Sequence, residues 1–137
     1  MTGPEHVIEL CHGYTYSAHP LACAAGIATL DIYRDEKLFE HAKALEPKFA
    51  DAAMSLRKEP NVVDIRTVGL TAGIDLAPKA EGPGKRGFEC LQRGFHDLDI
   101  MMRIASDTIE LTPPLIVSED QIGEIIDKVA KVIRAVA

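Results

Sequence analysis

The stretch VVDIRTVGLTAGIDL, Val62 to Leu76, decides how this chain folds. Val62 to Val68 and Leu70 to Leu76 read as two short strands about Gly69. In the second, Leu70, Ala72, Ile74 and Leu76 alternate with Thr71, Gly73 and Asp75. A period of two places one set on a core and the other toward water, the mark of a half-buried strand. Downstream, APKAEGPGKRG (Ala77 to Gly87) is a loop by its glycine, proline and charge content. A helix carrying Phe88, Leu91 and Phe95 follows, to about Asp97. Ile100 to Ala105 and Thr108 to Leu111 then form a hairpin around Ser106-Asp107, stopped by Pro113 and Pro114. In the last helix Ser118 and Gln121 have capping-box spacing. Its Ile122, Ile125, Val129, Val132 and Val136 share one face, joined by Ile126 and Ile133.

Upstream of the strands, Leu38, Ala42, Leu45, Phe49, Ala52 and Leu56 recur at helical spacing. Pro47 lies inside that pattern, where proline costs ~3 kcal/mol, so a kink or break is expected. Before it, LACAAGIATLDIYRDE starts a helix near Pro20 that is apolar on all sides. Such a helix is buried on more than one side, and its small residues admit close neighbours. It therefore expects a partner larger than one small domain supplies. Helices packed on one face of a small, mostly antiparallel sheet make an α+β fold.

The chain has 137 residues, one domain's worth, with 47% hydrophobic and 26% charged residues. Its net charge is −6 with scattered basic residues, which argues against nucleic acid as a partner. The longest uncharged apolar run, Leu21 to Leu30, is too short to cross a membrane. MTGPEHVIEL carries no signal-peptide pattern, and Cys11, Cys23 and Cys90 suit free thiols in a cytoplasmic setting. Cys11, His12, His19 and Cys23 can be drawn as a metal site, yet their spacing matches no zinc pattern. Buried thiols and hydrogen-bonded histidines are the expectation, with no metal.

HGYTYSAHPLACAA, His12 to Ala25, concentrates the chemistry of the chain. A glycine turn bearing hydroxyls and tyrosines opens the Pro20 helix, and Pro suits a first helical turn. Free N–H groups and the helix dipole there can hold an anion. An ordinary helix cap with packed tyrosines explains the same residues.

This segment closely resembles the HGYTYSGHPLACAAA-type segment of class III pyridoxal-phosphate-dependent aminotransferases, specifically the ω-amino acid–pyruvate group. The likeness continues through IRTVGLTAGIDLAP (Ile65 to Pro78) to MMRIASDTIELTPPLI (Met101 to Ile116), whose core is similar to an RxxGDTIALSPPL pattern. It implies the C-terminal domain of a fold-type I transferase. Residues 1–36 would then be the edge of the large cofactor domain, with a phosphate-contacting loop and an interdomain helix, and 37–137 the C-terminal small domain. By resemblance Thr15, with Tyr14 beside it, meets the phosphate of pyridoxal 5'-phosphate bound by a neighbouring subunit. Tyr14 and Tyr16 flank the entrance, Tyr16 on the substrate side, and Arg103 takes the carboxylate of an amino-acid or keto-acid substrate. A hydroxyl suits a phosphate, and a guanidinium fork suits a carboxylate. From the residues alone, Thr15 is equally a capping threonine, the tyrosines interface aromatics, and Arg103 a solvated strand residue opposite Ile100, Met102 and Ile104. Arg66 and Asp75 read as surface-strand and structural residues, His12 and His19 as hydrogen-bonding partners of the loop. Ala18 and Ser106 replace glycines of the pattern, which implies strain if those positions need positive φ.

The family also needs a lysine that forms the Schiff base with the cofactor, and a carboxylate on its pyridine nitrogen. Both lie upstream of the HGYTYS segment, so no catalytic residue is assigned. The eight lysines here fall on charged helical faces or in the Ala77–Gly87 loop. The resemblance thus implies the C-terminal part of an enzyme that moves an amino group from an ω-amino acid or amine to pyruvate. Its partners would be the large-domain portion, a second subunit in a homodimer or higher oligomer, and small amino donors and keto acids. A non-catalytic α+β interaction or small-ligand module is the alternative; such a module should have lost the apolar helix or should bury it by self-association. A zinc or thiol enzyme is a distant third.

Overall fold

The structure, a computed structural model, describes residues 13–137. Cys11 and His12 lie outside the described residues. The chain divides into two compact units, Met1–Glu36 and Lys37–Ala137.

The first unit is a turn leading into α1, Pro20–Asp35, with Pro at its start and none of its residues buried. Leu21, Ile27 and Leu30 are exposed.

In the second unit, α2 (Leu38–Met54) leads through a 3₁₀ turn at Ser55–Lys58 to β1 (Val62–Val68) and β2 (Thr71–Leu76). The order continues with α3 (Lys85–Asp97), β3 (Arg103–Ala105), β4 (Thr108–Leu111) and α4 (Glu119–Ala135). The sheet order is β1-β2-β4-β3, and all three pairings are antiparallel. The α+β expectation holds. Ile65, Ala72, Ile74, Leu76, Ile109 and Leu111 form the buried face, together with Phe49 of α2 and Ile122, Val129, Val132 and Ile133 of α4. Asp64, Arg66, Gly73, Asp75, Thr108, Glu110 and Arg103 line the opposite face, which no helix of this unit covers.

The β1–β2 turn is Gly69-Leu70, with Gly69 at φ +54. Positive φ at the first central residue is what a two-residue hairpin asks of glycine. The capping box of α4 is present in both directions: Gln121 N–H donates to Ser118 Oγ, and Ser118 N–H to the Gln121 side chain.

Three expectations need correction. Pro47 does not break its helix; α2 runs unbroken through it. The proline is exposed, so the Lys43 carbonyl it leaves without a helical donor can be met by water. Leu45, Phe49 and Ala53 on the inner face hold the helix in place. The first strand of the second hairpin is three residues, Arg103–Ala105, shorter than Ile100–Ala105. Finally, α3 starts at Lys85 and turns a different face inward. Phe88 and Phe95 are 57% and 51% exposed, while Arg86, Gly87, Cys90 and Gly94 are buried.

Two glycines explain this rotation. A Cβ on Gly87 would stand 2.1 Å from the Ser106 carbonyl oxygen, and one on Gly94 2.7 Å from Met102 Cε. The helix rests on its smallest side chains because the β3–β4 hairpin passes directly beneath them. Gly84, its N-cap, has no side chain to cap with; Asp107 reaches across instead. The buried Asp107 carboxylate accepts from Gly84 N–H at 2.6 Å and Gly87 N–H at 2.9 Å. Negative charge at a helix N-terminus is favourable. The buried Arg86 works at the other end of the unit: Nε donates to the Ala77 carbonyl at 2.7 Å, and Nη1 to the Val136 carbonyl. A cation at the C-terminal carbonyls of α4 is equally well placed.

Candidate functional site

Tyr14, Thr15 and Tyr16 share one tight turn ahead of α1. Ser17 N–H donates to the Tyr14 carbonyl at 2.8 Å, and His19 N–H to the Tyr16 carbonyl at 3.3 Å. Tyr16 has φ 66 and Ala18 φ 61. These two overlapping turns each put a non-glycine residue in the left-handed region, at a cost of about 1 kcal/mol apiece. The strain expected at Ala18 is therefore present, and Tyr16 adds a second instance that the sequence did not signal. The result is a loop that presents the Thr15 hydroxyl and both rings outward, with Tyr14 and Tyr16 71% and 85% exposed.

Arg103 lies in the second unit, on β3. Alternation along the strand is as expected: Met102 is buried, while Met101 and Arg103 are exposed. The β3–β4 turn is Ser106-Asp107, and Ser106 has φ 56, so the second missing glycine also sits at positive φ. Its register sets Arg103 directly opposite Glu110. The two side chains point to the same open face and pair, Arg103 Nε to Glu110 Oε2 at 3.0 Å. Glu110 is the residue that reading the chain missed. The signal was there, because a two-residue turn at Ser106-Asp107 fixes which residue faces Arg103.

The rest of the open face is an ion-pair network. Arg66 grips Asp75 through two bonds, 2.5 and 3.0 Å, and also lies 3.6 Å from Asp64. Thr108 Oγ1 donates to Asp75 at 2.7 Å. The Arg66 guanidinium, then the Thr108 hydroxyl, holds the Asp75 carboxyl below the usual carboxylate range. Arg66 and Asp75 are thus partners of one another. Two shallow grooves open on this face, about 300 Å³ beside Arg66, Gly73 and Thr108, and about 240 Å³ beside Arg103, Thr112 and Pro113. Glu110 lines both.

No described lysine occupies an apolar pocket. Lys48, Lys79 and Lys128 pair with Glu119, Glu89 and Glu124, and the others are exposed. The described residues thus offer a hydroxyl-bearing turn suited to a phosphate, without an amine suited to a carbonyl. Burial pushes the Cys90 thiol up to about 11, which makes it a poor nucleophile. Among the described residues no cluster of His, Cys, Asp and Glu could hold a metal ion. No described helix is long and apolar enough to cross a membrane.

The family model for class-III aminotransferases matches residues 1–133. An omega-aminotransferase of Caulobacter vibrioides is 46% identical over 133 residues, covering 97% of this chain and 30% of its own length. A beta-alanine–pyruvate aminotransferase of Pseudomonas aeruginosa is 37% identical over 98% of this chain and 30% of its own. A thermostable omega transaminase mutant from Pseudomonas jessenii superposes with TM-score 0.83 at 28% identity, over 93% of this chain and 30% of that one. The chain thus spans about 30% of the length of the curated relatives it matches. Class III enzymes depend on pyridoxal phosphate. By the match over nearly its whole length, this chain belongs to the class-III aminotransferase family.

Proposed function

We propose that the chain is the C-terminal part of an aminotransferase that moves an amino group from an ω-amino acid or amine to pyruvate. The observation that carries this reading is 46% identity with an omega-aminotransferase across 97% of the chain. Residues 1–36 would be the edge of the cofactor domain and 37–137 the small domain. Pyridoxal phosphate, when bound, would supply the electron sink for loss of the proton on the donor's amine-bearing carbon.

This chain's own residues bind and orient. Thr15 donates its hydroxyl to the cofactor phosphate of a neighbouring subunit in a cytoplasmic homodimer or higher oligomer. Tyr14 stands beside that contact, and Tyr16 borders the substrate entrance. Arg103 takes the substrate carboxylate, where a planar fork of donors gives direction as well as charge. On this reading the proton-transferring lysine belongs to the large-domain portion, in keeping with described lysines that are exposed or paired with carboxylates.

The test is an absorbance titration of the purified chain with pyridoxal phosphate, with and without the large-domain portion of the subunit. No lysine-bound cofactor band from the chain alone, and a band with pyruvate-dependent turnover on reconstitution, is the expected result. A saturable, borohydride-trapped band from the chain alone would overturn it.

A further inference from the structure

We propose that Glu110 is a positioning residue that sets substrate preference by competing with substrate carboxylates for Arg103. The inference rests on the reading of Arg103 as the carboxylate site.

Geometry places the two groups together without any side-chain search. Arg103 and Glu110 are cross-strand partners, and neighbouring strands bring directly opposed side chains within reach of one another. Glu110 Oε2 lies 3.0 Å from Arg103 Nε, an ion pair on the Nε side of the guanidinium. That side is one of the approaches by which a guanidinium holds a carboxylate with two bonds. The partners differ in solvation: the Arg103 side chain is 78% exposed, the Glu110 side chain 32%. The acid is fixed against the sheet, while the guanidinium stands over the smaller groove. Nearby cations do not relieve it, because Arg66 is committed to Asp75 and Asp64. Asp64, Asp75 and Glu110 thus outnumber Arg66 and Arg103 on this face.

A carboxylate-bearing substrate must therefore displace Glu110 or approach Arg103 from its remaining edge, against an adjacent negative charge. An amine or ketone without a carboxylate meets no such competition. Exposed ion pairs are modest, so the expected bias is about threefold to fivefold.

The experiment compares Glu110→Gln and Glu110→Ala with the parent holoenzyme, using β-alanine and pyruvate against an arylalkylamine that has no carboxylate. The proposal expects KM for the carboxylate-bearing substrates to fall about threefold to fivefold, with kcat and the arylalkylamine KM unchanged. Glu110→Asp should return toward parent values. Unchanged or raised carboxylate KM in both variants would overturn it, the latter by showing that Glu110 orients Arg103 productively. Arg103→Gln separates the two readings: it should raise carboxylate KM. If it does so while the Glu110 variants stay silent, the arginine assignment stands and this proposal falls; if it does nothing, both fall. A second readout uses the 137-residue chain itself: the Arg103 guanidinium resonances should shift on Glu110→Gln, because a carboxylate 3.0 Å from Nε is removed. Unmoved resonances would show that the pair does not form, and would overturn the proposal independently of turnover.

Discussion

Removing the Asp107 carboxylate should cost the second unit about 3 kcal/mol. The sum follows from its two hydrogen bonds. Gly87 N–H, 2.9 Å away, belongs to a buried residue that water does not reach, so orphaning it costs about 2 kcal/mol. Gly84 N–H, 2.6 Å away, is only half-buried and can turn to water, so its loss is nearer 1 kcal/mol, the usual value of a helix cap. Asp107→Asn keeps one acceptor but sets an amide N–H₂ against the other donor, so about half the loss is expected. Urea unfolding of the 137-residue chain at neutral pH, followed by far-UV circular dichroism, reads both variants. With m near 1.5 kcal/mol per molar urea, Asp107→Ala should lower the midpoint by about 2 M, and Asp107→Asn by about 1 M. An Ala shift below about 0.5 M at unchanged m would refute the reasoning, because it would mean that the start of α3 needs no remote cap.

Other substitutions probe the remaining contacts. Glu59 is buried and held by Arg134 through two bonds of 2.6 and 2.5 Å, and those hydrogen bonds hold its carboxyl pKa below the usual carboxylate value of 4.5. Its contribution is therefore present above pH 4.5 and lost as pH falls through the lower folded-state value; the stability gap between parent and Glu59→Gln should close in that acid window, as denaturant titrations from pH 7 to 3 will show. Gly87→Ala should destabilise by about 3 kcal/mol or prevent folding, since its Cβ would meet backbone 2.1 Å away; Gly123→Ala, with open space around an exposed helical position, should stabilise by about 0.5–1 kcal/mol, both read by thermal melts. In a Cys11→Ser background, a thiol reagent should label Cys23 at once and Cys90 only in denaturant, because the former is exposed and the latter fully buried. Prompt labelling of Cys90 would contradict the packing of α3.

The elements that were legible from the chain are those whose signals are local. Alternation through Leu70–Leu76 marked β2, the Ser118–Gln121 box marked the start of α4, and Pro20 marked α1. What misled was also local evidence, outweighed by tertiary contact. Phe88 and Phe95 look like a core stripe, yet Gly87 and Gly94 are the residues that admit the β3–β4 hairpin, and space decided against bulk. Pro47 looks like a breaker, yet a helix anchored by Leu45, Phe49 and Ala53 tolerates one lost bond on its wet side. Of the site, the departures at Ala18 and Ser106 announced strain that the backbone angles display. Asp107 and Glu110 were harder, because a remote cap and a cross-strand partner belong to the register of the hairpin rather than to any motif.

The sheet order leaves β1 and β3 on the outside, and both are poor templates for another chain. β3 offers only three residues, and β1 is interrupted by an irregularity between Val62 and Asp64 and studded with Asp64 and Arg66. Short, bulged or charged margins discourage strand addition, the usual route from a small sheet to fibrils. Association of this chain at high concentration should accordingly proceed through helical side chains, with no gain in β signal and no dye-binding fibre, and should reverse on dilution.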